Sequence, residues 1–358
     1  MSKTSLTRPR LAAVRPLAAI SGGRVTVRGA GIGGDSGRLP EVRFGEVPAR
    51  VVYADHDTVA CCVPAGLGGG ATEIRLSTAP GETAFLDVGT PVATGLHQVD
   101  SPVFGDDGVL YLTHSGARGS QSPVSIFRVG ADGFCESFVT GLTNPTSLAF
   151  QPGGRLLVSS RFDGTVSAVD STGHVEEVAT DLGVACGLAL DAEGTLHVGD
   201  RSGTLFRVTA TGEVSRFATL PPSVAAFHLA MAPTGALFVT GPTLGTRDAV
   251  YRIDPDGTVS TVTRHFGRPQ GLAFDPHGTL HVVEALAGAA GLYRVPSALD
   301  PGDGEELRGA DVVDLVVAAP SLVGVAFDGD GSAVVVSESV AYRFDRLPSA
   351  SGFTPRPA

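Results

Sequence analysis

The side chains best suited to chemistry stand at the ends of short apolar runs that recur through most of the chain. Ahead of successive runs come Asp100, Asn144, Cys186, His228, Arg268 and Gln270. Behind the following runs come His114, Arg161, Asp163, Asp200, Arg201, Glu284 and Glu338. Imidazole and carboxylate groups can transfer protons, and paired guanidinium groups can bind a carboxylate or phosphate bidentately. In one interpretation the set forms a site for a small oxygenated molecule whose anionic group is held by the arginines.

Two acids and two arginines of this set have structural alternatives. Asp200 and Glu284 end predicted strands, where an acid commonly caps the following loop by accepting backbone hydrogen bonds. Glu284 is otherwise a candidate catalytic acid or base. Arg161 and Arg201 occupy equivalent positions in adjacent repeats, so they either bind an anionic group or pair with Asp163 and Asp200. The sequence leaves both interpretations open.

The remaining candidates are also ambiguous. The position of His228 is glycine in three other repeats, at Gly187, Gly271 and Gly324. The imidazole is therefore either a catalytic base projecting into free space or a packed core side chain. Asn144 and Gln270 are predicted to bind substrate, although Asn144 precedes a proline and is equally suited to fixing its loop. His114 begins a long loop over 113–123, whose length is typical of a lid or specificity loop.

A sixfold repeat positions these residues. Each repeat has an apolar anchor followed four places later by glycine, and the anchors are Phe104, Phe150, Leu190, Met231, Phe274 and Phe327. They are separated by 46, 40, 41, 43 and 53 residues. This period predicts the four-stranded blades of a six-bladed β-propeller. First strands line the channel of such a fold, so the candidates above share one rim.

The last repeat stops after Phe344 and lacks a fourth strand. Residues 91–96 resemble the fourth strands of other repeats, so we expect them to complete the sixth blade and leave no open sheet edge. The propeller then spans 91–346. Residues 1–7 are predicted to be a disordered N-terminus and 347–358 a flexible tail.

Residues 8–90 have a different pattern of short alternating strands and glycine-rich turns, which predicts a small β-sandwich. The order of Gly22-Gly23, Val25–Gly29, Val42–Gly45 and Val63-Pro64 resembles an IPT/TIG immunoglobulin-like domain. The fold class predicted for the whole chain is thus all-β. The resemblance implies a spacer, packing or protein-partner role for this segment.

Composition excludes several classes of function. The chain has 26 basic and 37 acidic residues, a net charge of −11, with no basic cluster for nucleic acid or anionic membranes. The single lysine, Lys3, disfavours Schiff-base chemistry. Four cysteines without metal-ligand spacing are predicted to be reduced. Arg10, Arg15 and Pro16 interrupt the N-terminal apolar stretch, and a cytoplasmic location is predicted.

The motifs Asn144–Phe150 and Arg268–Phe274 resemble the gluconolactonase, senescence-marker and NHL-repeat superfamily of six-bladed propellers. Gluconolactonases hold a divalent cation, usually calcium, on oxygen ligands near the first strands. The resemblance implies this role for Asp100 and, as a second donor, Gln270. The family's later ligand pairs are not reproduced, since the equivalent dipeptides are Cys186-Gly187, Gln270-Gly271 and Val323-Gly324.

Two functions remain open. The first is a hydrolase that opens a lactone or ester of a small metabolite in the channel mouth. His228 and Glu284 would then be catalytic, and Asn144, Arg161, Arg201, Gln270 and His114 would bind substrate. The second is a non-catalytic propeller of NHL type that binds a small ligand or a protein.

Overall fold

The computed structural model describes residues 8–34, 38–296, 298–299, 306–308 and 313–348. Regular structure in these ranges is entirely β-strand. None of the described segments is a helix with the length and hydropathy needed to cross a bilayer. Residues 1–7 and 349–358, predicted as flexible ends, lie outside these ranges. The chain divides into one unit up to Pro91 with Leu315–Pro320, and another of Val92–Asp314 with Ser321–Asp345.

The first unit is built from short alternating strands. Along Arg24–Ala30, for example, Val25 and Val27 are buried whereas Arg24 and Arg28 are exposed, as a half-buried strand requires. The strands are β1 (Arg10–Arg15), β2 (Ala18–Ala19), β3 (Arg24–Ala30), β4 (Val42–Phe44), β5 (Val47–Ala54), β6 (Thr58–Cys62), β7 (Gly70–Leu76) and β8 (Ala84–Val88). A late strand, β29 (Asp314–Ala318), pairs with β2 in parallel.

The IPT/TIG-like domain predicted for 8–90 is not shown as a separate sandwich. The strands form one continuous hydrogen-bonded series in the order β1-β3-β6-β5-β4-β7-β8-β2-β29. The series is continuous because β5 pairs with β4 through Val47–Ala49 and with β6 through Arg50–Ala54. It is also extended by β2, which pairs in parallel with both β8 and β29. A single apolar core that includes Val25, Phe44 and Ile74 packs inside it.

The second unit contains the predicted repeats. Its strands are β9 (Thr90–Thr94), β10 (Val103–Phe104), β11 (Leu110–Thr113), β12 (Ile126–Val129), β13 (Cys135–Val139), β14 (Pro145–Phe150), β15 (Leu156–Ser160), β16 (Thr165–Val169), β17 (Val175–Ala179), β18 (Ala185–Leu190), β19 (Leu196–Asp200), β20 (Thr204–Val208), β21 (Val214–Thr219), β22 (His228–Met231), β23 (Leu237–Thr240), β24 (Val250–Ile253), β25 (Val259–Thr263), β26 (Pro269–Phe274), β27 (Leu280–Glu284), β28 (Gly291–Val295), β30 (Gly324–Phe327), β31 (Ala333–Val336) and β32 (Val340–Phe344). The repeated glycine follows from backbone geometry. Gly108, Gly154, Gly194, Gly235, Gly278 and Gly331 all have φ between +76° and +87°, a region that favours glycine.

The described residues form a β-propeller with five four-stranded blades, where the sequence predicts six. The blades are β10–β13, β14–β17, β18–β21, β22–β25 and the series β30-β31-β32-β9. The fifth repeat contributes the antiparallel strands β26, β27 and β28, and the next strand along the chain, β29, belongs largely to the other unit. The six first strands are neighbours in a closed ring, from β10 through β14, β18, β22, β26 and β30 back to β10.

Apolar side chains fill the spaces between successive blades. Leu157 and Val166 of one blade pack with Leu188 and Val198 of the next. Burial of this kind stabilises a fold by about 25 cal/mol per Å² of apolar surface. The packing fixes the first strands, and therefore the residues that face the channel.

Candidate functional site

Close contact between first strands closes the channel. A Cβ atom at Gly324 would lie 2.4 Å from Ser101 Cα, and one at Gly271 would lie 2.6 Å from Gly324 Cα. A Cβ atom at Gly187 would be 2.7 Å from the carbonyl oxygen of Phe227. The predicted free space at these glycines is therefore absent, because neighbouring backbone occupies it.

His228 completes this closed layer. Its Nδ1 lies 2.6 Å from Asp100 Oδ1, and its Nε2 lies 3.1 Å from Gln270 Oε1. The His228 side chain is 0% exposed and that of Asp100 is 5% exposed. Asp100 Oδ1 also accepts a hydrogen bond from the Ser101 amide at 2.7 Å. The structure thus joins three predicted site residues in one buried polar cluster.

The environment of His228 determines what it can do chemically. A catalytic base must reach the proton that it removes, directly or through one water molecule. His228 has no exposed surface, and both ring nitrogens are occupied by protein groups. The geometry gives it a positioning role, in which the imidazole links the Asp100 carboxylate to the Gln270 amide.

Above the closed layer lies the upper cavity, with a volume of about 510 Å³. This size is within the usual range for small-molecule sites. Gln270 and Cys186 line it together with three arginines, Arg161, Arg201 and Arg268. Burial raises the pKa of the Cys186 thiol to about 12, so the thiol is neutral near pH 7. The ionised side chains that line the cavity are three guanidinium groups and the Glu338 carboxylate.

Of the two alternatives left open for Arg161 and Arg201, pairing with Asp163 and Asp200 does not occur among these described side chains. Asp163 contacts Ser160, while Asp200 accepts hydrogen bonds from the Val184 amide and the Ser202 hydroxyl. Arg201 Nε donates to a backbone carbonyl, that of Ser223, at 3.3 Å.

The three cavity arginines have no ion-pair partner among the described residues. Burial lowers the pKa of Arg161, and the positive charges of Arg118 and Arg201 lower it further. Within the part of the chain that the structure describes, no carboxylate forms an ion pair with Arg161, Arg201 or Arg268. The cavity wall therefore carries three cationic groups that a bound anion would neutralise.

Glu284 lies outside the cavity and has a structural environment. Its carboxylate accepts hydrogen bonds from the amides of Gly267, Arg268 and Leu286, at 2.6 to 2.8 Å. The side chain caps the loop before β26 and so holds Arg268 at the cavity. The catalytic role predicted for Glu284 has no support in this geometry, because three backbone donors occupy its oxygens.

Asn144 also supports a loop. Its amide donates to the carbonyls of Ser115 at 2.6 Å and Ala117 at 2.9 Å, and its Oδ1 accepts from the Gly119 amide at 2.7 Å. Asn144 is 0% exposed and has a φ of 45°, in the left-handed region. These contacts fix the 113–123 loop, which carries Arg118. Asn144 therefore does not line the cavity where we predicted substrate binding.

His97 is a cavity residue that the sequence-based candidates omit. Its Nε2 lies 3.6 Å from Glu338 Oε1 at the cavity edge, and its ring packs edge-on against that of His114 at 5.9 Å. Burial lowers the pKa of His97, Glu338 opposes the shift, and Arg161 and His114 reinforce it. The sequence could have indicated His97 as a candidate, because it directly follows the strand predicted to close the ring.

A calcium site like that of gluconolactonases requires several convergent oxygen ligands. Asp100 supplies one carboxylate, which already contacts His228 and Ser101. No cluster of three or more His, Cys, Asp or Glu side chains suited to a metal occurs among the described residues. Among the described residues, Asp100 thus supplies one carboxylate of the several oxygen ligands that a calcium ion takes.

No protein-family model and no curated protein matches the sequence. Solved structures do match. An auxiliary nutrient binding protein from Bacteroides thetaiotaomicron has a TM-score of 0.55 at 13% identity, covering 95% of this chain and 98% of that one. A protein assigned as a gluconolactonase has a TM-score of 0.55 at 15% identity, covering 74% and 93%. Virginiamycin B lyase from Staphylococcus aureus has a TM-score of 0.50 at 14% identity, covering 71% and 96%. The similarity establishes the β-propeller fold.

Proposed function

We propose that the upper cavity binds a small anionic metabolite through Arg161, Arg201 and Arg268. The observation that carries this proposal is that three arginines, none of them ion-paired with a carboxylate among the described residues, line one cavity of about 510 Å³. Arg161 is partly buried, and a charged group withdrawn from water is normally paired because an isolated charge loses its hydration energy, whereas Arg201 and Arg268 are exposed. Desolvation and like charge both act on Arg161, and an anionic ligand would relieve the repulsion.

The polar groups of the cavity indicate the chemistry of the ligand. Guanidinium groups match the planar geometry of carboxylate and phosphate oxygens. Gln270 adds an amide, and His97 with Glu338 adds groups that can bind hydroxyls. We infer a ligand of sugar-acid or phosphorylated-sugar type, with one anionic group and several hydroxyls.

A thermal-shift screen tests the proposal. The panel contains D-gluconate, citrate and glucose 6-phosphate, with D-glucitol as the uncharged comparison. At 100 times the dissociation constant, a ligand stabilises a fold by about 2.7 kcal/mol. We expect at least one anion to raise the melting temperature of the native protein by a few degrees, and Arg161→Gln to remove that shift. The proposal is wrong if D-glucitol raises the melting temperature as much as the anions do, or if no anion raises it.

The second candidate is hydrolysis of a lactone or ester, which the resemblance to gluconolactonases implies. The observation favouring it is His97, whose lowered pKa leaves the imidazole neutral near pH 7 beside Glu338. Metal analysis and lactone hydrolysis with and without chelator test the calcium-dependent form. That form is excluded if the protein carries no cation and turns over no lactone in a panel. A non-catalytic binding protein would then remain.

We also propose that β26–β28 act as the sixth blade, since their first strand occupies the ring position between β22 and β30. The immunoglobulin-like assignment of 8–90, the 91–346 propeller boundary and the cytoplasmic location remain predictions. So do the absence of nucleic-acid and membrane binding and a protein partner for the N-terminal segment.

A further inference from the structure

A second cavity lies on the opposite side of the closed layer. This lower chamber has a volume of about 370 Å³ and is lined by all six first strands. Its walls carry the six anchors, each only half-buried, which are Phe104, Phe150, Leu190, Met231, Phe274 and Phe327. Four aromatic rings and two flexible aliphatic side chains thus surround one opening. Apolar surface arranged in a concave site is suited to an apolar ligand body.

The inner end of the lower chamber is polar. Asp100, Ser101 and Ser147 line it there. Asp100 Oδ1 contacts His228 and the Ser101 amide, whereas its second oxygen, Oδ2, has no hydrogen-bond partner among the described residues. The hydroxyls of Ser101 and Ser147 accept from the amides of Val325 and Leu188, at 3.3 and 3.1 Å. The chamber therefore ends in an acidic, acceptor-rich group.

We propose that the lower chamber binds a small amine with an apolar body. The ammonium group would donate to Asp100 Oδ2, and the body would lie among the anchor side chains. Charge complementarity selects this ligand, because Asp100, a carboxylate, is the one ionisable side chain that lines the chamber among the residues described. The proposal does not depend on anion binding in the upper cavity.

Calorimetric titration with benzylamine tests the proposal, with benzyl alcohol as the neutral analogue of the same shape. A charge-assisted hydrogen bond contributes roughly twice as much as a neutral one. We expect benzylamine to bind about tenfold or more tightly than benzyl alcohol. Comparable affinities would overturn the amine assignment and leave an apolar cavity. Absence of binding by either compound would overturn the whole proposal.

Substitutions locate the binding. Ala273→Leu and Leu190→Trp fill the chamber and are expected to abolish benzylamine binding, whereas Val214→Trp, on the exposed outer strand β21, leaves it unchanged. Arg201→Gln in the upper cavity is likewise expected to have no effect. Unchanged binding by both filling variants would place the site elsewhere and overturn the proposal. If both variants fail to fold, the ratio of the native protein's affinities for benzylamine and benzyl alcohol decides alone.

Discussion

His228 Nδ1 lies 2.6 Å from Asp100 Oδ1 in the closed layer between the two cavities, and neither side chain is appreciably exposed. His228 also contacts Gln270, which lines the upper cavity, whereas Asp100 lines the lower chamber. The imidazole therefore connects the floor of one cavity to the inner end of the other. A buried pair of this kind contributes to specificity of structure, and loss of one partner leaves the other without compensation.

Replacing His228 by alanine is expected to lower the free energy of unfolding by about 3–5 kcal/mol, because Asp100 then remains buried without its partner. Glu338→Ala is the matched control, since its contact with His97 lies at the surface, where an ion pair contributes about 0–1 kcal/mol. Urea unfolding of both variants measures the difference. Equal destabilisation by the two substitutions would contradict the buried-pair assignment.

Asn144→Gly is expected to destabilise the fold by about 1–3 kcal/mol, because the backbone groups that Asn144 binds in the 115–119 segment lose their buried partner. Asn144→Ala removes the same contacts and adds the cost of a positive φ, about 1 kcal/mol more. Trypsin cleavage after Arg118 should accelerate in both variants as the loop loosens. Native-like cleavage would show that other contacts hold the loop.

Stability should depend on pH through His281. Burial lowers the pKa of His281 from 6.5 to about 4. Between these values the unfolded chain binds the proton and the folded chain does not, so stability is complete above pH 6.5 and falls towards pH 4. The slope from this one group is up to about 1.4 kcal/mol per pH unit.

Urea unfolding of His281→Gln at pH 7 and pH 4.5 isolates this contribution. The difference in stability between native protein and variant should shrink at the lower pH, whereas the exposed His277→Gln should give a constant difference. If the difference in free energy of unfolding between the native protein and His281→Gln is the same at both pH values, the pKa of His281 in the folded protein is not lowered.

The repeat was predictable because its cause is local. Each turn needs one glycine at positive φ, four places after an anchor, and six copies of that pattern reveal the first strands. The pairing of β2 with β29 was not predictable, because it joins residues about 300 positions apart through two-residue contacts without a sequence signature.

The candidate site was predicted in part. Spacing placed Asp100, His228 and Gln270 at one level of the channel, and the structure brings them into contact. The sequence could not show that neighbouring backbone occupies the space beside the glycines at this level. His228 is therefore a buried link between two side chains and not an exposed base. Nor could it decide whether Glu284 and Asn144 face a ligand or their own loops, because backbone donors in the folded loops determine that.

Calorimetric titration of Arg201→Gln with the most stabilising anion of the screen tests the central claim most directly. The exposed Arg216→Gln on the outer strand β21 is the matched control. A hydrogen bond to a charged group contributes about 1.5–3 kcal/mol. We therefore predict binding roughly 10–100-fold weaker in Arg201→Gln, and unchanged in Arg216→Gln. Native affinity in Arg201→Gln and in Arg161→Gln would contradict anion binding at the upper cavity.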